Sequence, residues 1–348
     1  MSREEAVRAA FASQAGWCER LGSPFTARLV AVFGARLDRG TSAGRRILAW
    51  PGDPAPEADN VPGRLAGAFH YLVRLGRAPG LAALYPPAPI PEEAALWAEA
   101  APLLAAHQET ILPFLRRAPQ TNEVGRSAVL MSGLLAAAAR FAMPVRLFEL
   151  GSSGGLNLLL DRYGYDLGGR RAGDPASTLQ LAPAWKGPPP PAADVRVLSR
   201  AGVDVSPIDL MRDAERLLAF VWADQRERIA RLERALAIAA LDPPEVERGD
   251  AAEWLERVLP AAPREGALRV VFHSVAYQYF PAGTQRRIEA LLDRLGSEAD
   301  ARAPLAWLRY EQQPGEPLQS LRLRTWPGED RLLAWVHPHG AEVQWMAV

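Results

Sequence analysis

The chain lacks most of the residue patterns that announce a function directly. It has a single cysteine, Cys18, which excludes an intrachain disulfide and any site built from several thiolates. Only one of its 40 basic residues, Lys186, is a lysine. That bias toward Arg, together with Ala, Pro and Gly, reads as GC-rich coding rather than as arginine chemistry. Net charge is also missing, because 40 acids balance the 40 bases. No global field therefore draws the protein to nucleic acid or to an acidic membrane, and neither is expected as a partner. No apolar run is long enough to cross a bilayer; the best, Ser127–Ala139, stops at Arg140. Arg3, Glu4, Glu5 and Arg8 crowd the N-terminus with no apolar core behind them, so no signal peptide is expected. His337 and His339, in HPHG, have no acidic or thiol neighbour and read as a hairpin turn rather than a metal site. These absences lead to the expectation of a soluble, cytoplasmic protein.

What is present is enough apolar material for two domains: 348 residues, 49% of them hydrophobic. Up to about residue 140 the apolar positions return every three or four residues, as in FTARLVAVFGARL, LAGAFHYLVRLG and VGRSAVLMSGLLAAAARFA. That is the helical period, and the breaks at WPGDPAPEADNVPG and YPPAPIPEE are rich in Pro and Gly. Residues 1–140 are therefore expected to form a helical domain or cap.

From 141 to 348 the rhythm becomes strand–helix alternation. Strands are expected at Val145–Leu150, Val195–Val205, Leu268–His273 and Leu305–Tyr310, and helices at 156–163, 208–240, 251–258 and 284–295. Strands separated by helices imply a parallel sheet with right-handed crossovers. SLRLRTWP and LLAWVHPHGAEVQWM alternate with period 2 around polar turns, which predicts a closing antiparallel hairpin. Insertions are expected near 162–194 and 207–242.

The richest stretch is VRLFELGSSGGLNL, residues 145–158. An apolar strand ends in Glu149, a Gly/Ser turn follows, and an apolar helix opens at once. Glycines at 151, 154 and 155 permit positive φ and a close approach of ligand to backbone. The helix N-terminus is expected to offer free N–H groups to a carboxylate or phosphate. Leu156 fills the last small-residue place of G-x-G-x-x-G, which argues against a nicotinamide oxidoreductase.

The stretch resembles motif I of class I S-adenosylmethionine (SAM) methyltransferases, acid-x-Gly-x-Gly-x-Gly, with Ser153 where the middle glycine is usual. A parallel α/β core finishing in an antiparallel hairpin is similar to their Rossmann-like sheet, here carrying an N-terminal helical domain. Three further segments follow in the order that family requires. Asp204, in GVDVSPIDL, resembles the acid that takes the ribose hydroxyls, although 53 residues separate it from Gly151. If Asp166 ends the second strand instead, that assignment fails. Asp250 and Ala251 resemble the pair that reads the adenine edge, and Asp250 also reads as a helix N-cap. His273, Ser274, Tyr277 and Tyr279 close a buried-looking strand that in such enzymes faces cofactor and substrate. The resemblance implies SAM as cofactor, held by Glu149, Gly151, Ser152, Ser153, Gly155, Asn157, Asp204, Asp250, Ala251 and His273. It implies methyl transfer to a small molecule, with a non-catalytic SAM- or nucleotide-binding protein as the alternative.

The rest of the site is read from position. His273, Tyr277 and Glu123 are the candidate catalytic groups, and histidine is a base suited to neutral pH. Asn122, Arg126 and Tyr279 are the candidate substrate contacts. With Glu123 and Arg126 three residues apart on a helix, the two would share a face and either pair or grip a charged acceptor. The expected pocket is roofed by the helical half, with Asn122, Glu123 and Arg126 on one wall and His273, Tyr277 and Tyr279 on the other. Thr121 and Asn122 read equally as N-caps, and WADQRER (222–228) as either substrate contacts or a solvated helix face. The whole chain also resembles a bacterial family known only as a domain of unknown function, through QTNEVGR, ELGSSGGLNL, VDVSPID, WADQRER and VFHSVAYQYF; it implies no activity.

Overall fold

The computed structural model describes residues 2–312, 315–316 and 318–346. The chain forms two compact units, Met1–Thr121 with Arg212–Ala230, and Asn122–Met211 with Arg231–Val348. The sequence reading divides the chain at 140/141; contacts divide it at 121/122 and return a later segment to the first unit.

The first unit is helical: α1 Arg3–Arg20, α2 Pro24–Arg36, α3 Ser42–Leu48, α4 Val61–Arg74, α5 Pro79–Ala82, α6 Glu93–Ala100, α7 Leu103–Ala106 and α8 Gln108–Arg116. Ser2 and Glu5 start α1 with a reciprocal capping box. Phe11, Phe25, Phe33, Leu65, Phe69, Ile111 and Phe114 project from one face of their helices into a common core with Phe220. Asp224 starts α2: its carboxylate accepts the Phe25 and Thr26 amides at 2.9 Å each and the Thr26 hydroxyl at 2.6 Å. That contact corrects the reading of Asp224 as a solvated or substrate-facing residue, and it breaks the helix expected over 208–240. The segment instead forms α10 Leu210–Ala219 and α11 Arg226–Ala239.

The second unit opens with α9 Arg126–Phe141 and is built on a nine-stranded sheet. Its strands in chain order are β1 Val145–Leu150, β5 Ala184–Lys186, β6 Val197–Asp204, β7 Val246–Arg248, β8 Leu268–Ser274, β9 Leu305–Gln312, β10 Gln319–Trp326, β11 Asp330–Val336 and β12 Glu342–Trp345. The spatial order is β5-β12-β11-β10-β9-β8-β1-β6-β7. Strands β7, β6, β1, β8 and β9 are mutually parallel, and β9 through β12 form an antiparallel meander. Numbering the five parallel strands by chain position gives 3-2-1-4-5, the doubly wound order, so the direction of winding switches between β1 and β8. The insertion after β1 carries β2 Gly164–Leu167, β3 Arg170–Gly173 and β4 Gln180–Leu181 as a separate small sheet.

Both sheet faces are covered. Phe148, Leu150, Val203, Val271, Leu305 and Trp307 pack on α12 (Ala251–Ala261) and α13 (Ala282–Ser297) through Trp254, Leu255, Ile288 and Leu292. The opposite face meets α9. This two-sided burial explains why β8 is buried at all seven positions and reads as a near-continuous apolar run. Among the described residues no helix is long and apolar enough to cross a membrane.

Candidate functional site

In open α/β sheets the crevice at the winding switch lies beyond the carboxyl ends of the strands. Here that region holds the 151–155 turn. Gly151 and Gly155 have φ of 72° and 77°, which lets the chain leave β1 and reverse within five residues. The turn is tied to β6: the Gly151 and Ser152 amides both donate to the Val203 carbonyl, at 2.9 and 3.0 Å. The Ser153 amide donates to Asp204 Oδ2 at 2.9 Å, while Asp204 Oδ1 accepts the Ser206 amide at 2.8 Å.

These bonds correct the expectation of a free anion-binding N-terminus. The helix that follows is a short 3-10 helix, Leu156–Arg162, and its Leu156 amide is capped by Asn122 Oδ1 at 2.9 Å. The amide of Gly155 donates to the Ser152 carbonyl at 2.8 Å. The amides of Gly151, Ser152, Ser153, Gly155 and Leu156 are thus engaged within the chain.

Glu149 is the strongest of these. It is 1% exposed, and its Oε2 has no hydrogen-bond partner among the described residues. Burial, followed by the negative charge of Asp204, pushes its carboxyl well above the ordinary carboxylate range, against side-chain hydrogen bonds from Ser152 and Asn157 and the charge of Arg126. Asn157 is in turn fixed by the Ser127 hydroxyl at 2.7 Å. Asp204 ends β6, the strand beside β1, whereas Asp166 lies on β2 in the small sheet.

A cavity of about 390 Å³ adjoins the turn, lined by Gly154, Pro207, Ile208, Leu210, Pro243, Pro244 and Val246, with Asp209, Met211 and Arg248 among its walls. Val205 and Met211 beside it are largely exposed.

The other expected residues divide. Asn122 stands beside Gly154 and Leu156, as described. Glu123 is buried, accepts the Gly125 amide at 3.1 Å and lies 3.9 Å from Arg231. Arg126 donates to the carbonyls of Pro338 (3.0 Å) and Ser274 (2.9 Å) and lies over the Tyr310 ring. The two do not share a helix as expected, because α9 begins only at Arg126 and Glu123 precedes it. Asp250 caps α12 through the Ala252 and Glu253 amides, at 2.9 and 3.1 Å, and accepts the Thr284 hydroxyl at 2.7 Å. Burial works against its charge, but the Thr284 bond and the two amides hold its carboxyl below the usual value. Ala251 is the first residue of that helix.

His273 and Tyr277 form a separate cluster. The Nδ1 of His273 lies 2.6 Å from Glu311 Oε1, which also accepts the amides of Ala276 and Tyr277 at 2.9 and 3.0 Å. Burial raises the Glu311 carboxyl, yet the hydrogen bond and charge of His273 and the two amides bring it below its ordinary value. An ionised Glu311 makes Nδ1 the donor, and Nε2 has no partner among the described residues. The imidazole stacks on Tyr277 at 4.7 Å, and the Tyr277 hydroxyl reaches Gln285 and Glu289 of α13. Since Glu149 pairs with Phe272 across β1 and β8, His273 points to the opposite face from Glu149. Glu149 and His273, both expected to hold the cofactor, are therefore separated by the sheet. Tyr279 is 73% exposed and joins neither cluster. Sequence reasoning missed Glu311, an acid directly after the strand expected at Leu305–Tyr310; the structure extends that strand to Gln312.

No curated protein matches the chain. The family model described as "Uncharacterized protein conserved in bacteria (DUF2332)" matches residues 8–345, and the chain belongs to that family.

Proposed function

We propose that the protein binds SAM at the 149–155 turn and transfers its methyl group to a small molecule. The observation that carries this reading is the pairing of a buried acceptor, Glu149 Oε2, with Asp204 at the ends of neighbouring strands beside the winding switch. The adjoining cavity is of small-molecule size, and its apolar walls with few polar groups suit a nucleoside better than a polymer. The residues fit such a ligand through acceptors rather than donors: Glu149 Oε2 toward an ammonium group, and the remaining lone pairs of Asp204 toward hydroxyls. Arg248 is the cation that lines the cavity and would meet a carboxylate. Bound SAM supplies a methyl group activated on a sulfonium. The chain's own part is to orient donor and acceptor in line and to exclude water.

A second reading, ligand binding without catalysis, is favoured by one observation. His273 and Tyr277, the candidate proton acceptors, face α12 and α13, away from Glu149. Thermal shift with SAM, S-adenosylhomocysteine, NAD(P) and ATP tests both. Ligand at about 100 times its Kd stabilises by roughly 2.7 kcal/mol. Selective stabilisation by the two SAM-type ligands supports the cofactor reading; equal response to all four, or to none, overturns it. Methyl transfer to a metabolite mixture, followed as S-adenosylhomocysteine release, separates enzyme from binder.

A further inference from the structure

Ser153 departs from the glycine of motif I, and the structure shows that the departure has two penalties. Its φ is 55°, in the left-handed region that glycine occupies freely and that an L-residue with a Cβ occupies under strain. Its side chain is 6% exposed, and its Oγ has no hydrogen-bond partner among the described residues. A buried hydroxyl without a partner is destabilising and marks a place where another polar group belongs. Glycine would remove both penalties while keeping the turn.

The backbone at this residue is fixed from both sides. Its amide is held by Asp204 Oδ2, and its carbonyl accepts the Ile208 amide at 3.2 Å. Ile208 and Gly154, the next residue in the chain, both line the cavity. The serine side chain thus hangs from a rigid backbone beside the Asp204 carboxylate, and one χ1 rotation re-aims its hydroxyl without moving the turn. Each Asp204 oxygen accepts a single backbone amide here, so each retains a lone pair. A carboxylate with spare acceptor capacity beside an unpaired hydroxyl suits a ligand hydroxyl, which both donates and accepts.

We propose that Ser153 is a specificity-determining ligand contact, its hydroxyl acting with Asp204 to hold a sugar-type hydroxyl of a nucleoside ligand. The assignment rests on the cofactor reading above and deepens it by naming the ligand group recognised.

The test compares the full chain with Ser153→Gly and Ser153→Ala, using S-adenosylhomocysteine, adenosine and 2′,3′-dideoxyadenosine as probes. Ser153→Gly should be more stable than wild type without ligand, in urea unfolding. It should nonetheless bind S-adenosylhomocysteine about tenfold more weakly, the scale of one lost hydrogen bond. Its preference for adenosine over the dideoxy compound should shrink with it. Ser153→Ala keeps the strained backbone but loses the hydroxyl, so it should match the glycine variant in binding and gain only the part of the stability that the unpaired hydroxyl costs. Wild-type affinity and preference in both variants would overturn the assignment and leave the cofactor reading intact. Weakened binding in only one variant would show that the shared loss of the hydroxyl is not the cause, and would overturn it too. If the wild-type chain binds none of the three probes, the cofactor reading falls and takes this assignment with it.

Discussion

Replacing Gly151 by alanine tests whether the glycine-rich turn is shaped by ligand or by the protein's own packing. A Cβ at 151 would lie 2.6 Å from the Ala276 Cβ and 3.5 Å from the Phe280 ring, with φ at 72°. The left-handed backbone costs an L-residue roughly 1–2 kcal/mol. Forcing a methyl group into a filled space adds about 1–3 kcal/mol. The expected loss is therefore about 2–5 kcal/mol, a fall in Tm of about 4–20 °C for a unit of this size. The clash and the strain separate in a double-mutant cycle. Gly151→Ala combined with Ala276→Gly removes the carbon–carbon approach but not the positive φ, so it should recover the packing part alone. Urea unfolding of the four proteins gives the coupling energy, expected at about 1–3 kcal/mol. A wild-type-like Gly151→Ala, or a coupling below about 0.5 kcal/mol, refutes the reasoning. The consequence for function is direct: loss of ligand binding in a bulky variant at 151 would report a damaged turn, and only the compensated double variant asks about the ligand.

Asp204→Ala should destabilise the second unit by about 1.5–3 kcal/mol in urea unfolding, because the buried Ser153 amide loses a charged acceptor; unchanged stability would mean that the bond does not hold the turn. Arg269 on β8 is fully buried, with all three guanidinium nitrogens unpartnered among the described residues, so Arg269→Met should leave stability equal or raise it by about 1–4 kcal/mol, and a clear loss would refute this. Asp224→Ala removes three hydrogen bonds at the start of α2 and should destabilise the first unit by about 1–2 kcal/mol, read as an earlier unfolding transition. Glu149 binds its proton more tightly in the folded state than in the unfolded chain. Its contribution to stability is therefore complete below the ordinary carboxylate range and declines as pH rises from there toward the folded value. Glu149→Gln should lose that decline and gain on wild type between pH 5 and 7 in urea unfolding; a gap that narrows with rising pH would contradict the buried, protonated carboxyl.

The parts of this fold that could be read in advance are those where burial leaves a strong pattern. β1 was legible because both its faces are covered, and β8 and β9 for the same reason, so their apolar runs are nearly unbroken. β7, three residues long, and the small sheet of the insertion carry no period to detect. The break between α10 and α11 was hidden for another reason. Local propensity favours one helix through WADQRER, and only the demand of the α2 amides for the Asp224 carboxylate turns the chain there.

For the site, residue types were legible and their partners were not. Glu149, Asp204, Asp250 and His273 stand in the expected order along the chain, but order does not say what each side chain touches. Asp250 meets its own helix and Thr284, and Asn122 caps a helix 34 residues away. His273 illustrates the limit best. Strand alternation alone puts His273 and Phe272 on opposite faces; what decides whether His273 joins Glu149 is the register between β1 and β8. A shift of one residue would bring imidazole and carboxylate to the same side of the sheet. The observed pairing of Glu149 with Phe272 sends His273 instead to Glu311, Tyr277 and Trp307. Register is set by contacts along the whole length of both strands, from Val145 with Leu268 onward. The separation of the two polar clusters is thus a property of the sheet, and no motif spaced along one segment of sequence can encode it.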